Sequence, residues 1–243
     1  MSQSILEVKN LTKLYKNGRG VKDISFTLNS GEVMGLLGPN GSGKTTTMKA
    51  IVGIVNYSMG NIHICGTDVS GNHEAAMAHV GALIESPALY GTMTAKQNLK
   101  LVARFYDDVD DRRIDEVLNM VSMQAYANDK VRSFSLGMRQ RIGLAGAFIS
   151  RPKLLILDEP ANGLDIEGML YVRNIIKSAS ENGAAVLISS HLASEIQSVA
   201  TKAAVIHSGS LLGLLSMEEI LEKHGSTEEF FLSFVRRDVY DSV

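Results

Sequence analysis

A glycine-rich loop between a predicted strand and a predicted helix constrains this chain more than any other feature. Gly38, Gly43, Lys44 and Thr45 satisfy the spacing G-x-x-x-x-G-K-[ST], in which backbone N–H groups cradle phosphates while the lysine and the hydroxyl reach the outer phosphates and Mg²⁺. The flanks fit this geometry, because the preceding residues form an apolar run and the following ones begin a helical pattern. A helix N-terminus offers free N–H donors and the positive end of the helix dipole. The loop therefore predicts a nucleoside triphosphate site.

The composition is that of an ordinary globular protein. The chain has 243 residues, of which 45% are apolar and 21% charged, enough for one large α/β domain or for a core domain with a smaller subdomain. Its net charge of −2 argues mildly against nucleic-acid binding. No apolar run approaches the ~20 residues that cross a bilayer, and signal-peptide features are lacking, so we expect a cytosolic protein. The single cysteine, Cys65, excludes intrachain disulfides and a cysteine-rich metal site.

Strand and turn patterns predict how the rest of the chain is organised. Residues 5–30 contain short alternating runs around a Gly/Asn turn, which indicates an antiparallel β layer. Residues 87–132 lack strand signals, and Thr94 and Asp110 can cap helices there, the first of them extending to Phe105. This zone predicts a helical insertion in an α/β chain. A hairpin and a helical tail are expected after residue 200.

Two stretches place polar residues where a ligand of an open α/β sheet would bind. The apolar run 154–157 ends in Asp158 and Glu159, as a central parallel strand would at the carboxyl edge of its sheet. Asp158 can hold Mg²⁺ and Glu159 can orient or deprotonate a water. The alternative, a pair of surface acids, is disfavoured by the upstream glycine loop. His191 follows another apolar run and is placed to touch a terminal phosphate, although a lone histidine usually has a structural role.

Two further features are ambiguous when taken alone. Ser135 and Gly137 stand at the head of a predicted helix and offer another potential phosphate cradle, but a capped amphipathic helix would look the same. Tyr15 precedes the first turn, where its ring could fill a core or stack on a base. The residues alone favour core packing for Tyr15.

Taken in order, these stretches resemble the ATP-binding subunit of ABC transporters up to about residue 220. Residues 38–45 resemble Walker A, residues 133–141 the signature motif, and residues 154–159 Walker B with its catalytic glutamate. Residues 162–165 resemble the D-loop, and His191 the switch histidine. The resemblance implies an α/β P-loop NTPase fold with a mixed central sheet, an N-terminal antiparallel β layer and a helical subdomain. It implies one ATP-binding domain over 1–243, a helical subdomain at about 87–150 and a C-terminal helical tail at 216–243.

The resemblance also implies which residues form the site, with ATP and Mg²⁺ as cofactors. It raises the expectation that Tyr15 stacks on adenine. The implied catalytic residues are Lys44, Glu85, Glu159 and His191, and the implied metal ligands are Thr45, Glu85 and Asp158. The implied nucleotide-binding residues are Tyr15, Gly38, Pro39, Asn40, Gly41, Ser42, Gly43, Lys44, Thr45, Thr46, Ser135, Gly137 and Met138.

Two departures from the family pattern are informative. The signature reads Phe-Ser-Leu-Gly-Met instead of Leu-Ser-Gly-Gly-Gln, and Glu85 stands where the family normally has glutamine. A carboxylate can ligate Mg²⁺ or hold a water, but without a bridging cation the γ-phosphate would repel it. Glu85 should therefore depend more on metal than glutamine would. Both departures resemble the bacitracin-resistance and lantibiotic self-immunity branch of exporters, and a general drug or peptide exporter is the nearest alternative.

The resemblance implies the partners of the chain as well. A second ATP-binding subunit, in a homodimer, and separate permease subunits are expected, with the chain peripheral on the inner face of the cell membrane and no nucleic-acid partner. An ABC-type ATPase acting on nucleic acid or ribosomes is the alternative, although it would usually carry two cassettes or a coiled-coil insertion. A small-molecule phosphotransferase is a third class, and it would lack a signature-like stretch.

Overall fold

Ten strands form two sheets in the part of the chain that the structure describes. The computed structural model describes residues 3–240, and the side chains of residues 3–235. The strands are β1 (Ser4–Leu14), β2 (Gly20–Asn29), β3 (Val33–Leu37), β4 (Met59–Ile64), β5 (Thr67–Asp68), β6 (Val80–Leu83), β7 (Leu154–Asp158), β8 (Ala185–Ser190), β9 (Lys202–His207) and β10 (Ser210–Ser216).

Helices fill the intervals between these strands. Two short 3₁₀ turns, at Gln124–Tyr126 and Val131–Ser133, lie between the fourth and fifth helices. The α-helices are α1 (Lys44–Ile51), α2 (His73–Met77), α3 (Ala95–Ala103), α4 (Asp111–Met120), α5 (Leu136–Phe148), α6 (Ile166–Glu181), α7 (Ala193–Val199), α8 (Met217–His224) and α9 (Thr227–Tyr240).

The larger sheet is mixed, as predicted. Its order is β10-β9-β3-β8-β7-β6, and all neighbouring strands are parallel except β10, which runs antiparallel to β9. Every residue of β3, β7 and β8 is buried, because both faces of a parallel sheet are covered and its strands need continuous apolar runs. The carboxyl ends of β3 and β7 therefore lie at one edge, which brings the glycine loop close to Asp158.

The smaller sheet is antiparallel and confirms the predicted N-terminal β layer. Its order is β2-β1-β4-β5, and β1 pairs with β2 from Ser4 opposite Asn29 to Leu14 opposite Gly20. Its apolar face and α1 share one core with the larger sheet. The glycine loop and α1 are thus held between two sheets.

The predicted helical insertion consists of α3, α4 and α5, between β6 and β7. Thr94 and Gln97 form a capping box at the start of α3, and Asp110 caps α4 through the N–H of Arg113. Helix α3 ends at Ala103, two residues before the predicted end at Phe105, because the chain turns there through a bond from Phe105 N–H to the Val102 carbonyl.

The tail forms the predicted hairpin and two helices. Ser216 caps α8 in a second capping box, and Phe230 of α9 is fully buried against the edge of the larger sheet. Residues 1–2 and 241–243 of the predicted domain and tail lie outside the described residues. Among the described helices, none combines the length and the apolar character that a bilayer span requires.

A close backbone approach fixes the position of α5 on the sheet and supports a prediction. A Cβ added to Gly81 of β6 would lie 1.9 Å from the Ala147 carbonyl oxygen, whereas one added to Gly146 would meet its nearest atoms at 4.0 Å. Gly81→Ala should lower the free energy of unfolding by about 3 kcal/mol, and Gly146→Ala should raise it by about 0.5 kcal/mol through helix propensity. Urea denaturation of both variants measures this, and equal midpoints would contradict it.

Candidate functional site

The glycine loop ends at the N-terminus of α1, which has free amide donors. Gly43 is the N-cap with φ of 117°, and among the described residues no side chain caps this helix. The Thr47 N–H donates to the Gly43 carbonyl at 2.9 Å, so the amides of the preceding turn have no partner within the helix. These amides and the helix dipole together favour an anion at this position.

The packing around the loop leaves no room for larger side chains. A Cβ on Gly38 would lie 2.2 Å from the Ile206 carbonyl oxygen, and one on Gly43 would lie 2.5 Å from the Val21 side chain. The Ser42 hydroxyl is buried and makes no hydrogen bond in the described part of the chain. A buried hydroxyl without a partner is costly unless a ligand satisfies it. The loop therefore fits a bound phosphate group.

Lys44 places a buried positive charge inside the loop. Its side chain donates hydrogen bonds from Nζ to the carbonyl oxygens of Gly38, at 2.6 Å, and Pro39, at 3.2 Å. Burial lowers the pKa of Lys44, and the nearby carboxylates of Glu159 and Asp158 partly oppose that effect. The ammonium is therefore incompletely compensated by the protein, which favours binding of an anion.

Asp158 sits at the end of β7, where two hydroxyl groups hold its carboxylate. Thr45 Oγ1 donates to Asp158 Oδ2 at 2.8 Å, and Ser189 Oγ donates to Asp158 Oδ1 at 2.5 Å. Thr45 and Asp158 thus lie together, as predicted. Mg²⁺ prefers oxygen ligands and usually takes one or two carboxylates plus substrate phosphates. The described residues contain no group of three or more His, Cys, Asp or Glu side chains able to hold a metal. This donor set fits Mg²⁺ carried in with a nucleotide.

Glu159 and His191 form a second pair at the same edge. His191 Nδ1 lies 3.2 Å from Glu159 Oε2, and the Glu159 backbone is left-handed with φ of 46°. Such a conformation costs about 1 kcal/mol or more in a residue other than glycine. The N–H of Glu159 donates to Ser189 Oγ at 3.0 Å. One buried hydroxyl therefore orients both acids, a role of Ser189 that no sequence motif indicates.

Glu85 reaches the same region from β6, again with a left-handed backbone, at φ of 58°. It lines a cavity of about 330 Å³ together with Thr45, Asp158 and Glu159. Its carboxylate, however, lies 2.6 Å from Lys49 Nζ and is 61% exposed. No sequence pattern indicates Lys49, because a lysine near the end of a helix carries no signal of a partner 36 residues away.

The second cradle faces a different cavity. Ser135 caps α5 by accepting the Met138 N–H at 3.2 Å. Ser135, Gly137 and Met138 line a cavity of about 390 Å³ with Gly163 and other residues of the predicted D-loop. No residue of 38–45 lines this cavity, although Leu136 lines the other one, beside Thr45 and Asp158.

Tyr15 is not in the core, contrary to the expectation from the residues alone. Its side chain is 41% exposed, and Lys13 Nζ lies 5.1 Å from the ring centroid. A tight turn follows, in which the Tyr15 N–H donates to the Arg19 carbonyl. Stacking of Tyr15 on adenine stays a prediction.

The Ser189 network supports a testable prediction. Ser189→Ala should lower the free energy of unfolding by about 1–2 kcal/mol, because it leaves buried polar groups unpaired, and should lower ATP hydrolysis about tenfold through misplaced acids. Ser190 is a matched control, since it is equally buried but its hydroxyl donates to Glu195 instead. Urea denaturation and phosphate release measure both effects, and equal losses of hydrolysis in the two variants would argue against a special role for Ser189.

Comparison with known proteins matches the chain to one family. Residues 21–162 match the family described as ABC transporter. The ABC transporter ATP-binding protein YhcH of Bacillus subtilis is 41% identical over 218 residues, 89% of this chain and 72% of the relative. The bacitracin transport ATP-binding protein BcrA of Bacillus licheniformis is 36% identical, over 95% of this chain and 76% of the relative.

Two further similarities cover nearly the whole of both chains. The lantibiotic transport ATP-binding protein SrtF of Streptococcus pyogenes is 36% identical over 93% of this chain and 96% of the relative. A solved ATP-binding subunit of an ABC transporter superimposes with a TM-score of 0.87 at 28% identity, covering 94% of this chain and 98% of that one.

Proposed function

The chain belongs to the ABC transporter family as an ATP-binding, ATP-hydrolysing subunit, and on that premise we propose that it drives export of antimicrobial peptides through a separate permease. The observation that carries this proposal is the 36% identity, over more than nine tenths of the chain, to ATP-binding proteins named for bacitracin and lantibiotic transport. The glutamate at position 85 and the Phe-Ser-Leu-Gly-Met signature support it. On this proposal the chain lies at the inner face of the membrane, attached through the permease.

The proposed roles of the residues follow from their positions. Lys44 and the loop amides bind the phosphates, and Thr45 and Asp158 would hold Mg²⁺, which would neutralise phosphate charge. Glu159 accepts a proton from the attacking water or polarises it, and the adjacent His191 contacts the terminal phosphate and orients Glu159. Most of the rate enhancement in this chemistry comes from positioning and electrostatics, and the rigid Asp158–Ser189–Glu159 network supports both.

We further infer that the working unit is a pair of ATP-binding subunits. Ser135, Gly137 and Met138 line a cavity that contains no residue of the glycine loop, and of residues 135–138 only Leu136 lines the cavity beside Thr45. In this proposal a second copy encloses the nucleotide. Leu136 supports this arrangement, because it lies beside the second cradle and is 61% exposed. Hydrolysis would remove the γ-phosphate that joins the two subunits, and the helical insertion would transmit their separation to the permease.

The test of this function uses cells that carry the chain. Deleting the chain should raise the sensitivity of these cells to bacitracin or a lantibiotic several-fold. Wild-type protein should restore resistance, whereas Glu159→Gln protein, at equal abundance, should not. Affinity-tagged chain extracted in detergent should bring an integral membrane protein with it. Unchanged peptide sensitivity, together with ATP hydrolysis stimulated by RNA or ribosomes, would favour the alternative ATPase class instead.

A further inference from the structure

Glu85 and Lys49 form an ion pair beside the candidate site. Lys49 lies in the last turn of α1, the helix that begins at the phosphate-binding loop. Its Nζ is 2.6 Å from Glu85 Oε1, and the two side chains are 23% and 61% exposed. The pair therefore connects the helix behind the loop to the segment that leads from β6 into the helical insertion.

The charge balance of the cavity explains why such a pair would matter. Three acidic residues, Glu85, Asp158 and Glu159, line the cavity beside Thr45. Asp158 accepts bonds from two hydroxyls, and Glu159 faces His191. Glu85 faces the Lys49 ammonium. An unneutralised third carboxylate beside a triphosphate would oppose nucleotide binding.

We propose that Lys49 is a positioning residue: its ammonium cancels the charge of Glu85 and holds that carboxylate away from the phosphates, so that the site binds ATP with an acid at position 85. The inference rests on the proposed ATP-binding function and deepens it. In the absence of Mg²⁺, Lys49 supplies the positive charge that a bridging cation would otherwise provide. The effect on ATP binding of a substitution at position 49 is therefore expected to depend on the residue at position 85.

A purely structural role for Lys49 makes a different prediction. Exposed ion pairs contribute little to stability, and a lysine in the last turn also interacts favourably with the helix dipole. The dipole interaction would persist whatever residue occupies position 85, and the ion pair would add too little stability to change ATP binding. Dependence on the charge at position 85 is thus the property that separates the two roles.

The test is a double-mutant cycle on the full-length chain. Binding of a fluorescent ATP analogue is measured with EDTA present. Lys49→Met should weaken binding about three- to tenfold, as expected for one uncompensated charge near a phosphate, and Lys49→Arg should bind like wild type. In a Glu85→Gln background, Lys49→Met should have no effect. The difference in affinity for the analogue between wild type and Lys49→Met should shrink at high salt and with Mg²⁺ present.

A matched lysine is available as the control. Lys96 pairs with Asp115 at the same 2.6 Å and with similar exposure, 27% for the lysine, but lies in the helical insertion. Lys96→Met should leave binding of the analogue unchanged. Thermal melting checks that each variant is folded, and Lys49→Gln replaces Lys49→Met if the latter is not.

The outcomes are distinguishable. Equal weakening by Lys49→Met with glutamate or glutamine at position 85, or no weakening with either, overturns the positioning role. The positioning role is supported if Lys49→Met weakens binding of the analogue with glutamate at position 85 and has no effect with glutamine there. A wild-type chain that neither binds the analogue nor releases phosphate from ATP would overturn the proposed function itself, whatever the double-mutant cycle shows.

Discussion

Glu159→Gln should still bind ATP while its rate of ATP hydrolysis falls about a thousandfold, the scale of a lost general base. The amide keeps the size of the side chain and accepts the same left-handed backbone, at φ of 46°, but it cannot take a proton from water. The hydrogen bond from the Glu159 backbone N–H to Ser189 is also unchanged. Binding and hydrolysis should therefore separate in this variant.

The measurements for Glu159→Gln are nucleotide binding, phosphate release and size-exclusion chromatography with ATP. Because the triphosphate is not consumed, the variant should elute as a dimer with ATP and as a monomer without it. Glu181→Gln is the control, since Glu181 ends α6 and is exposed; it should hydrolyse ATP normally. Hydrolysis at the wild-type rate by Glu159→Gln would remove Glu159 from the proposed role.

The affinity of Lys44→Met for ATP should fall about a hundredfold or more. This is the cost of removing one member of a buried charge pair, here the ammonium that faces the phosphates. Lys44 is 5% exposed, and its ammonium is held inside the loop by two carbonyl oxygens. No hydroxyl or amide of the loop can replace that positive charge. Isothermal titration with ATP and Mg²⁺ measures the loss, and affinity within a few-fold of wild type would contradict it.

Lys44→Met should not lower the free energy of unfolding, so its loss of ATP affinity can be distinguished from the effect of a damaged core. Burial lowers the pKa of Lys44 below its ordinary value of 10.5, so the folded state disfavours the ammonium at neutral pH. Between the lowered pKa and 10.5 the unfolded chain binds more protons, and wild-type stability then rises with pH relative to Lys44→Met. Urea denaturation at neutral pH and near pH 10 should show this trend.

Much of the local structure was predictable because it depends on residues that are close in sequence. The capping boxes at Thr94 and Ser216, the hairpin through Gly209 and the buried strands all follow from patterns shorter than a dozen residues. The exposure of Tyr15 was not predictable from the residues, because an aromatic side chain near a turn suits a core and a surface equally well. Only the tertiary structure shows that the ring lies at the surface.

The sequence by itself determined the chemistry of the glycine loop, the presence of two acids at the end of β7 and the place of the chain among ABC ATPases. The first two conclusions rest on fixed spacings within single motifs, and the third rests on a resemblance carried by several motifs in order. The tertiary structure alone decided that Ser189 joins Asp158 to Glu159, because β7 and β8 are neighbours in a register that sets Asp158 opposite Ser189. It also decided that Glu85 faces Lys49, since that contact depends on the packing of α1 on β7 and the pairing of β6 with β7. Strand order and packing depend on the whole chain, so no local pattern carries them.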